Sequence, residues 1–182
     1  MAKISPMKSV NKVRLIVLTA IVFCLAFLNI YFSEIPNFSP IAATALFAGA
    51  FMKNRKLAFI IPITAIIVSD IFIGFHSMIW AVYLSFFLVV FLGTNMKKLN
   101  FGNVLGFSIL GSFLFFLLTN FAVWFQGGFY PNSLTGLMEC YYMGIPFFKN
   151  TLVGDLCFNA ILFSSFSFAE SKIPSLKFVS IN

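Results

Sequence analysis

Charged residues are scarce in this chain. Only 9% of its 182 residues are Asp, Glu, Lys or Arg, whereas an ordinary soluble domain carries about 25%. Acidic residues are the rarest, with 5 against 12 Lys and Arg, and there is a single His. So few polar side chains cannot coat a water-facing surface. This excludes an ordinary soluble enzyme, a nucleic-acid-binding domain and a disordered chain.

Cysteine and catalytic motifs are also sparse. The three cysteines, Cys24, Cys140 and Cys157, have no metal-ligand spacing, and their odd number does not suggest a disulfide framework. Cys140 and Cys157 would form a set of soft-metal ligands with His76 only if the fold brought the three together. The sequence has no Gly-rich nucleotide loop. The segment before Asp155 also lacks the first glycine of the G-x-G-D motif of intramembrane aspartyl proteases. We therefore expect no enzymatic activity, no metal and no cofactor.

Apolar residues are abundant instead: they make up 60% of the chain, and 27 residues are Phe. A membrane-spanning helix needs about 20 apolar residues, so six spans would use about 120 positions and leave about 60 for loops and ends. We predict an all-α polytopic membrane protein, in which residues 1–182 form a single transmembrane domain of six helices. The predicted spans cover about residues 13–32, 38–52, 57–75, 78–93, 101–125 and 151–169.

The positive charges are distributed unequally between the two sides of this predicted bundle. If the N-terminus is cytoplasmic, every Lys and Arg except Lys149 falls in an end or loop that faces the cytoplasm. This asymmetry follows the positive-inside rule. We expect a multi-pass protein of the bacterial inner (plasma) membrane, surrounded by lipid, with both termini cytoplasmic. The net charge of +7 then reflects orientation and not nucleic-acid binding.

The last outer loop, residues 126–150, is long and contains apolar residues at helical spacing. This spacing predicts an amphipathic helix over about residues 133–145, which Pro146 would end. Two interpretations stay open: the helix lies flat on the bilayer surface, or it forms a lid over an outward-facing cavity.

Two acids, Asp70 and Asp155, lie inside predicted spans, where charge is costly and often marks function. Asp70, Asn120 and Asp155 each lie about five residues from the outer end of their span. At 1.5 Å per residue, this places them roughly 8 Å below the outer boundary. Either these groups line a binding pocket, or they cap helices and bond neighbouring spans as polar contacts between membrane helices.

The sixth span carries a polar stripe, because Thr151, Asp155 and Asn159 follow one another at intervals of four residues. The single histidine lies just above the same level, in the third outer loop. We therefore predict a substrate-binding pocket in the outer third of the bundle. Its candidate residues are Asp70, His76, Asn120, Thr151, Asp155 and Asn159.

Four segments resemble those of a small, largely uncharacterised bacterial family of six-helix membrane proteins. They are residues 36–50, 69–76, 119–124 and 145–155. That family in turn resembles the S components of energy-coupling-factor vitamin transporters in size, number of spans and topology. The resemblance implies a vitamin or metal bound near the outer face beneath loop lids. It also implies a transmembrane scaffold and two cytoplasmic ATPases as partners.

S components bind the scaffold protein through an A-x-x-x-A motif on their first helix. The nearest match here is Ala20 to Cys24, with Cys in place of the second Ala. Because of this departure, two alternatives stay open: the chain is a solitary transporter, or it is a subunit of a different complex.

Three functions are compatible with these features. The first is a substrate-binding subunit of a small-molecule uptake transporter, for which Asp155→Ala is expected to abolish ligand binding without preventing insertion. The second is a non-catalytic accessory or scaffold subunit of a larger membrane complex, which would dock through the small residues of the second span. The third is an ion- or proton-coupled carrier that uses Asp70 and Asp155 as a relay.

Overall fold

The computed structural model describes residues 12–32 and 34–177, and all regular structure in these ranges is helical. The prediction of an all-α chain is therefore confirmed. A short 3-10 turn, Pro174–Leu176, follows the last helix. The helices are α1 Lys12–Phe32, α2 Ile41–Phe51, α3 Arg55–Ile73, α4 Ile79–Thr94, α5 Phe101–Gln126 and α6 Leu134–Lys172.

Among the described residues, four helices are long and apolar enough to cross a membrane: α1, α3, α5 and α6. They indicate a membrane protein. The two other helices, α2 and α4, are also apolar but have only 11 and 16 residues. At 1.5 Å per residue, α2 is about 16 Å long, about half the thickness of a bilayer core. The structure thus contains four long apolar helices and two short ones, where the sequence analysis predicts six spans.

Arg14 joins three parts of the chain at one end of the bundle. Its guanidinium is buried, and it donates hydrogen bonds to the carboxylate of Glu170 and to the carbonyl oxygens of Phe51 and Leu176. The start of α1, the end of α2 and the end of α6 therefore meet. Since the helices alternate in direction, the basic segments 53–56, 97–98 and 172–177 belong to the same end. We call it the basic end, and the opposite end the distal end.

Helix α2 lies inside the molecule, and all its residues except Ala50 are buried. Its small residues allow close contact with α4: a Cβ atom on Gly49 would lie 2.9 Å from the Cα atom of Gly93. Contact this close is typical of small residues between membrane helices. The small-residue face of α2 is therefore occupied by α4, and it is not the exposed docking face that the accessory-subunit hypothesis uses.

Helix α6 is continuous, and Pro146 lies inside it. The expected separate helix over residues 133–145, ended by Pro146, is therefore wrong. A proline in a helix removes one backbone hydrogen bond and crowds the preceding turn, but membrane helices tolerate this because neighbouring groups satisfy the freed backbone. The predicted loop helix is the first part of α6, and the loop between α5 and α6 shortens to residues 127–133.

The first part of α6 packs along α5 in the opposite direction. The Tyr141 hydroxyl donates to the Leu117 carbonyl oxygen at 2.9 Å, and the ring centroids of Phe116 and Phe148 are 4.9 Å apart. Further toward the basic end, Ser112 of α5 contacts Asp155 of α6. These contacts form one long helical hairpin.

Candidate functional site

A cavity of about 350 Å³ lies at the distal end of the bundle. It lies between the start of α4, the distal half of α5 and the first part of α6, and the loops before α2 and α4 contribute to it. We call it the distal cavity. Apolar side chains, including Met78, Phe115 and Phe147, line much of it. Its polar lining residues are Asn37, His76, Thr119, Asn120, Tyr130 and Cys140.

Two of the residues predicted for the site, His76 and Asn120, line this cavity together. The Asn120 side chain is fixed on α5, because its Nδ2 donates to the Phe116 carbonyl oxygen at 2.9 Å. The other side of its amide lies against Gly144 of α6, where an added Cβ atom would be 3.0 Å from Asn120 Cγ. Gly144 therefore leaves room for the Asn120 amide beside the cavity.

Asp70 does not line the distal cavity, although it lies nearby. Its Oδ2 accepts a hydrogen bond from the Tyr83 hydroxyl at 2.8 Å, which joins α3 to α4. His76 is close enough to attract the Asp70 carboxylate electrostatically. Asp70 therefore bonds to α4 and interacts with His76, but it is not one of the residues that line the cavity.

The predicted polar stripe of α6 is buried, but it lies outside the cavity. Asp155 is 2% exposed, and its Oδ2 is 2.6 Å from Ser112 Oγ of α5. The backbone N–H of Ala43, in the first turn of α2, also donates to the Asp155 carboxyl group. The first N–H groups of a helix have no partner within the helix, and its N-terminus favours negative charge. Asp155 thus caps α2 from a neighbouring helix.

The two other members of the stripe differ from each other. Thr151 donates its hydroxyl to the Phe147 carbonyl oxygen in its own helix, at 3.2 Å. Asn159 is 2% exposed, and its Oδ1 has no hydrogen-bond partner in the described part of the chain. The stripe therefore contains one buried acceptor without a donor.

A second polar chain reaches the start of α2 from the other side. Asn29 Nδ2 donates to Ser69 Oγ at 3.2 Å, Ser39 Oγ donates to Asn29 Oδ1 at 2.6 Å, and the N–H of Ile41 donates to Ser39 Oγ at 3.2 Å. The sequence analysis misses Asn29, Ser39, Ser69 and Ser112. Two signals could have found some of them: a Ser at the start of a helix often caps it, and Asn29 is a polar residue in an apolar span.

The described residues provide no group of three or more His, Cys, Asp and Glu side chains that could hold a metal ion. Of the soft-metal set considered from the sequence, His76 and Cys140 line the distal cavity, whereas Cys157 is exposed elsewhere on α6. The Cys140 thiol lies 3.3 Å from the Asn120 carbonyl oxygen, to which it donates. The Cys140 thiol is therefore engaged with the backbone of α5.

A family model with the description "Family of unknown function (DUF6580)" matches residues 9–176. The match includes all six helices, and it agrees with the expectation of a family without a known function. No curated protein and no solved structure matches the chain.

Proposed function

We propose that the chain, which belongs to the family of unknown function DUF6580, is the substrate-binding integral membrane subunit of a small-molecule uptake transporter. The distal cavity carries this proposal. Its volume of about 350 Å³ lies within the range of about 300–1,000 Å³ that small-molecule pockets occupy. Its lining combines apolar side chains with polar ones, and small-molecule pockets also contain both.

The lining suggests the chemistry of the ligand. No Asp, Glu, Lys or Arg is among the described residues that line the cavity. A cationic ligand would find no acidic side chain among these lining residues, and an anionic ligand could pair only with His76. Burying an unpaired charge is costly. The best fit is an uncharged, partly apolar organic molecule of vitamin-like size. Phe115 and Phe147 would contact its apolar part, and His76 and Asn120 would form hydrogen bonds with its polar groups.

The proposed direction of transport is inward. Under the positive-inside rule, the basic end faces the cytoplasm, and the distal cavity then opens to the outside of the inner membrane. Both termini would be cytoplasmic, and the two short helices would complete a six-helix bundle within the bilayer. A cavity that opens outward is suited to capture a solute before it is carried inward.

The energy for transport would come from elsewhere, because the sequence has no nucleotide-binding loop. By its resemblance to S components, the chain would pair with a transmembrane scaffold and cytoplasmic ATPases. Ala20 and Cys24 of α1 are both exposed and lie on one face of the helix. This face is available to a partner helix, which supports the pairing despite the cysteine in the motif.

Native mass spectrometry of the purified protein tests the proposal. We expect the wild type to retain a small organic molecule and Val123→Trp, which fills the cavity, to lose it. Val153→Trp is the matched control, because Val153 is exposed on α6 and does not line the cavity. An empty wild-type bundle with a stoichiometric membrane partner would contradict the proposal and favour the accessory subunit.

A further inference from the structure

Asp155 is a buried acid that has no cationic partner among the described residues. It is 2% exposed between α2, α5 and α6. Within the described ranges, the ion pair of the bundle joins Arg14 and Glu170, and Glu170 lies 15 residues further along α6. That separation is about 22 Å. An ionised carboxylate buried without an opposite charge is costly, and such a group is neutralised instead where it can be.

The Ser112 hydroxyl lies between two acceptors. Ser112 Oγ lies 2.6 Å from Asp155 Oδ2 and 3.0 Å from the Ser108 carbonyl oxygen. Both atoms are acceptors when Asp155 is ionised, but the Ser112 hydroxyl has a single hydrogen. If Asp155 carries a proton, it donates to Ser112 Oγ, and the Ser112 hydroxyl then donates to the Ser108 carbonyl oxygen. One proton completes both bonds.

Asn159 lies one turn further along α6 than Asp155. Its Oδ1 is buried and has no donor in the described part of the chain. Residues four apart on a helix are neighbours, and Asp and Asn side chains at this spacing form hydrogen bonds. A proton on the Asp155 carboxyl oxygen that faces away from Ser112 would therefore serve Asn159. The Ala43 N–H bond persists in either state, because the carbonyl oxygen of a neutral acid is also an acceptor.

Within the part of the chain that the structure describes, no other ionisable group pairs with the Asp155 carboxylate. Helices α2 and α5, which pack against Asp155, contain no Asp, Glu, Lys, Arg, His, Cys or Tyr. On α6 the nearest such residues are Lys149 and Cys157, and both are exposed. Asp70 belongs to a separate pair with Tyr83. The relay between the two acids that the sequence suggests is not supported by direct contact.

We propose that Asp155, Ser112 and Asn159 form a binding site for one proton, distinct from the distal cavity. The proton is held either on Asp155 Oδ2, which contacts Ser112, or on the other carboxyl oxygen, from which it would be donated toward Asn159, four residues further along α6. Its arrival makes the junction of α2, α5 and α6 neutral, and its departure leaves an anion at the first turn of α2. This inference goes beyond the proposed function and stands without it.

Infrared spectroscopy of the full-length protein in lipid nanodiscs tests the site. At neutral pH we expect the C=O stretching band of a protonated carboxylic acid in the wild type. Asp155→Asn should remove this band, and Asp70→Asn should leave it. Asn has the shape of the neutral acid, so Asp155→Asn should also keep the unfolding midpoint of the wild type. Ser112→Ala should shift the band to a higher wavenumber, because the acid loses a hydrogen-bond acceptor.

Three outcomes would overturn the proposal. The first is a wild-type spectrum without a band that depends on Asp155 at neutral pH, since Asp155 would then be ionised. The second is a band that disappears when sodium replaces potassium at constant pH, because the site would then bind a metal cation. The third is a band that Ser112→Ala leaves unmoved, which would separate the proton from the contact with α5.

Discussion

Gly49 of α2 and Gly93 of α4 lie back to back, so close that a Cβ atom on Gly93 would be 3.0 Å from the Cα atom of Gly49. This contact holds a buried half-length helix against its neighbour by backbone packing. The position of α2 matters because its first turn meets Asp155 through the Ala43 N–H. Packing at one end of α2 therefore supports the polar junction at the other.

We expect Gly93→Ala to destabilise the bundle. The added methyl group would meet the backbone of α2, which cannot move aside as a flexible side chain can. Overpacking of this kind costs about 1–3 kcal/mol. The measurement is equilibrium unfolding in mixed detergent micelles. Gly106→Ala is the control, because no atom of the described residues lies within 4 Å of its added Cβ. Equal loss of stability in both variants would contradict the packing argument.

Asn120→Leu is expected to weaken ligand binding. Leu has a similar volume but offers no hydrogen bond to the polar part of the ligand. The loss of one such bond in a buried site costs about 1–3 kcal/mol, and 1.4 kcal/mol corresponds to a tenfold change in affinity. The measurement is the amount of small molecule that the purified protein retains, together with its affinity once the molecule is identified.

Asn95→Leu is the matched control for this variant. Asn95 Nδ2 donates to the carbonyl oxygen four residues earlier, Phe91, at 2.7 Å, which is the bond that Asn120 forms with Phe116. Asn95, however, follows α4 at the basic end and does not line the cavity. If both variants lose the ligand equally, the effect is one of helix stability and not of recognition.

The buried face of α6 could be predicted from the sequence, whereas the neighbour that each polar residue meets could not. Asp155 and Asn159 are buried on one face of α6, as their spacing predicts. His76 and Asn120, which the sequence analysis grouped together, line one cavity. Asp70 and Asp155 form separate contacts, because a helix can turn its polar residue toward any neighbour at the same depth. Which neighbour it meets depends on the packing order, and one sequence does not reveal that order.

The lengths of two helices could not be predicted from the sequence, because the packing of the bundle contributes to them as well. The apolar run around α2 is long enough to suggest a span, but the helix itself has 11 residues. Pro40 and Met52 flank it, and their backbones lie outside the helix. Pro146 gave the opposite error, because the packing of α6 along α5 keeps the helix continuous through it. Tertiary contacts decide both cases.

Removal of the Arg14 side chain should loosen the basic end. Arg14→Met would leave the Glu170 carboxylate without its cation, while two backbone carbonyl oxygens would lose a donor. Breaking one partner of a fully buried ion pair costs about 3–5 kcal/mol. Because the Glu170 side chain is 26% exposed and water can reach it, we expect about 2–3 kcal/mol. Unfolding in mixed micelles measures this, with the exposed Arg55→Met as the control.

A double-variant cycle separates the ion pair from the packing. The double variant with Met at positions 14 and 170 should be less destabilising than the sum of the two single changes. Each single change leaves one buried charge without its partner, whereas the double variant leaves none. Additive effects would contradict coupling between Arg14 and Glu170. In that case the loss in Arg14→Met would come from its contact with the Phe51 and Phe166 rings.

The proposed orientation of the bundle predicts which loops a reagent reaches from outside the cell. Ser77, in the loop between α3 and α4, is exposed beside the distal cavity, and Lys98, between α4 and α5, is exposed at the basic end. In a background without the three native cysteines, we expect a membrane-impermeant maleimide to label Ser77→Cys in intact cells. Lys98→Cys should react only after the membrane is permeabilised. The reverse pattern would put the cavity on the cytoplasmic side, where it could not capture an external solute, and the proposed uptake would be wrong even if a ligand were bound.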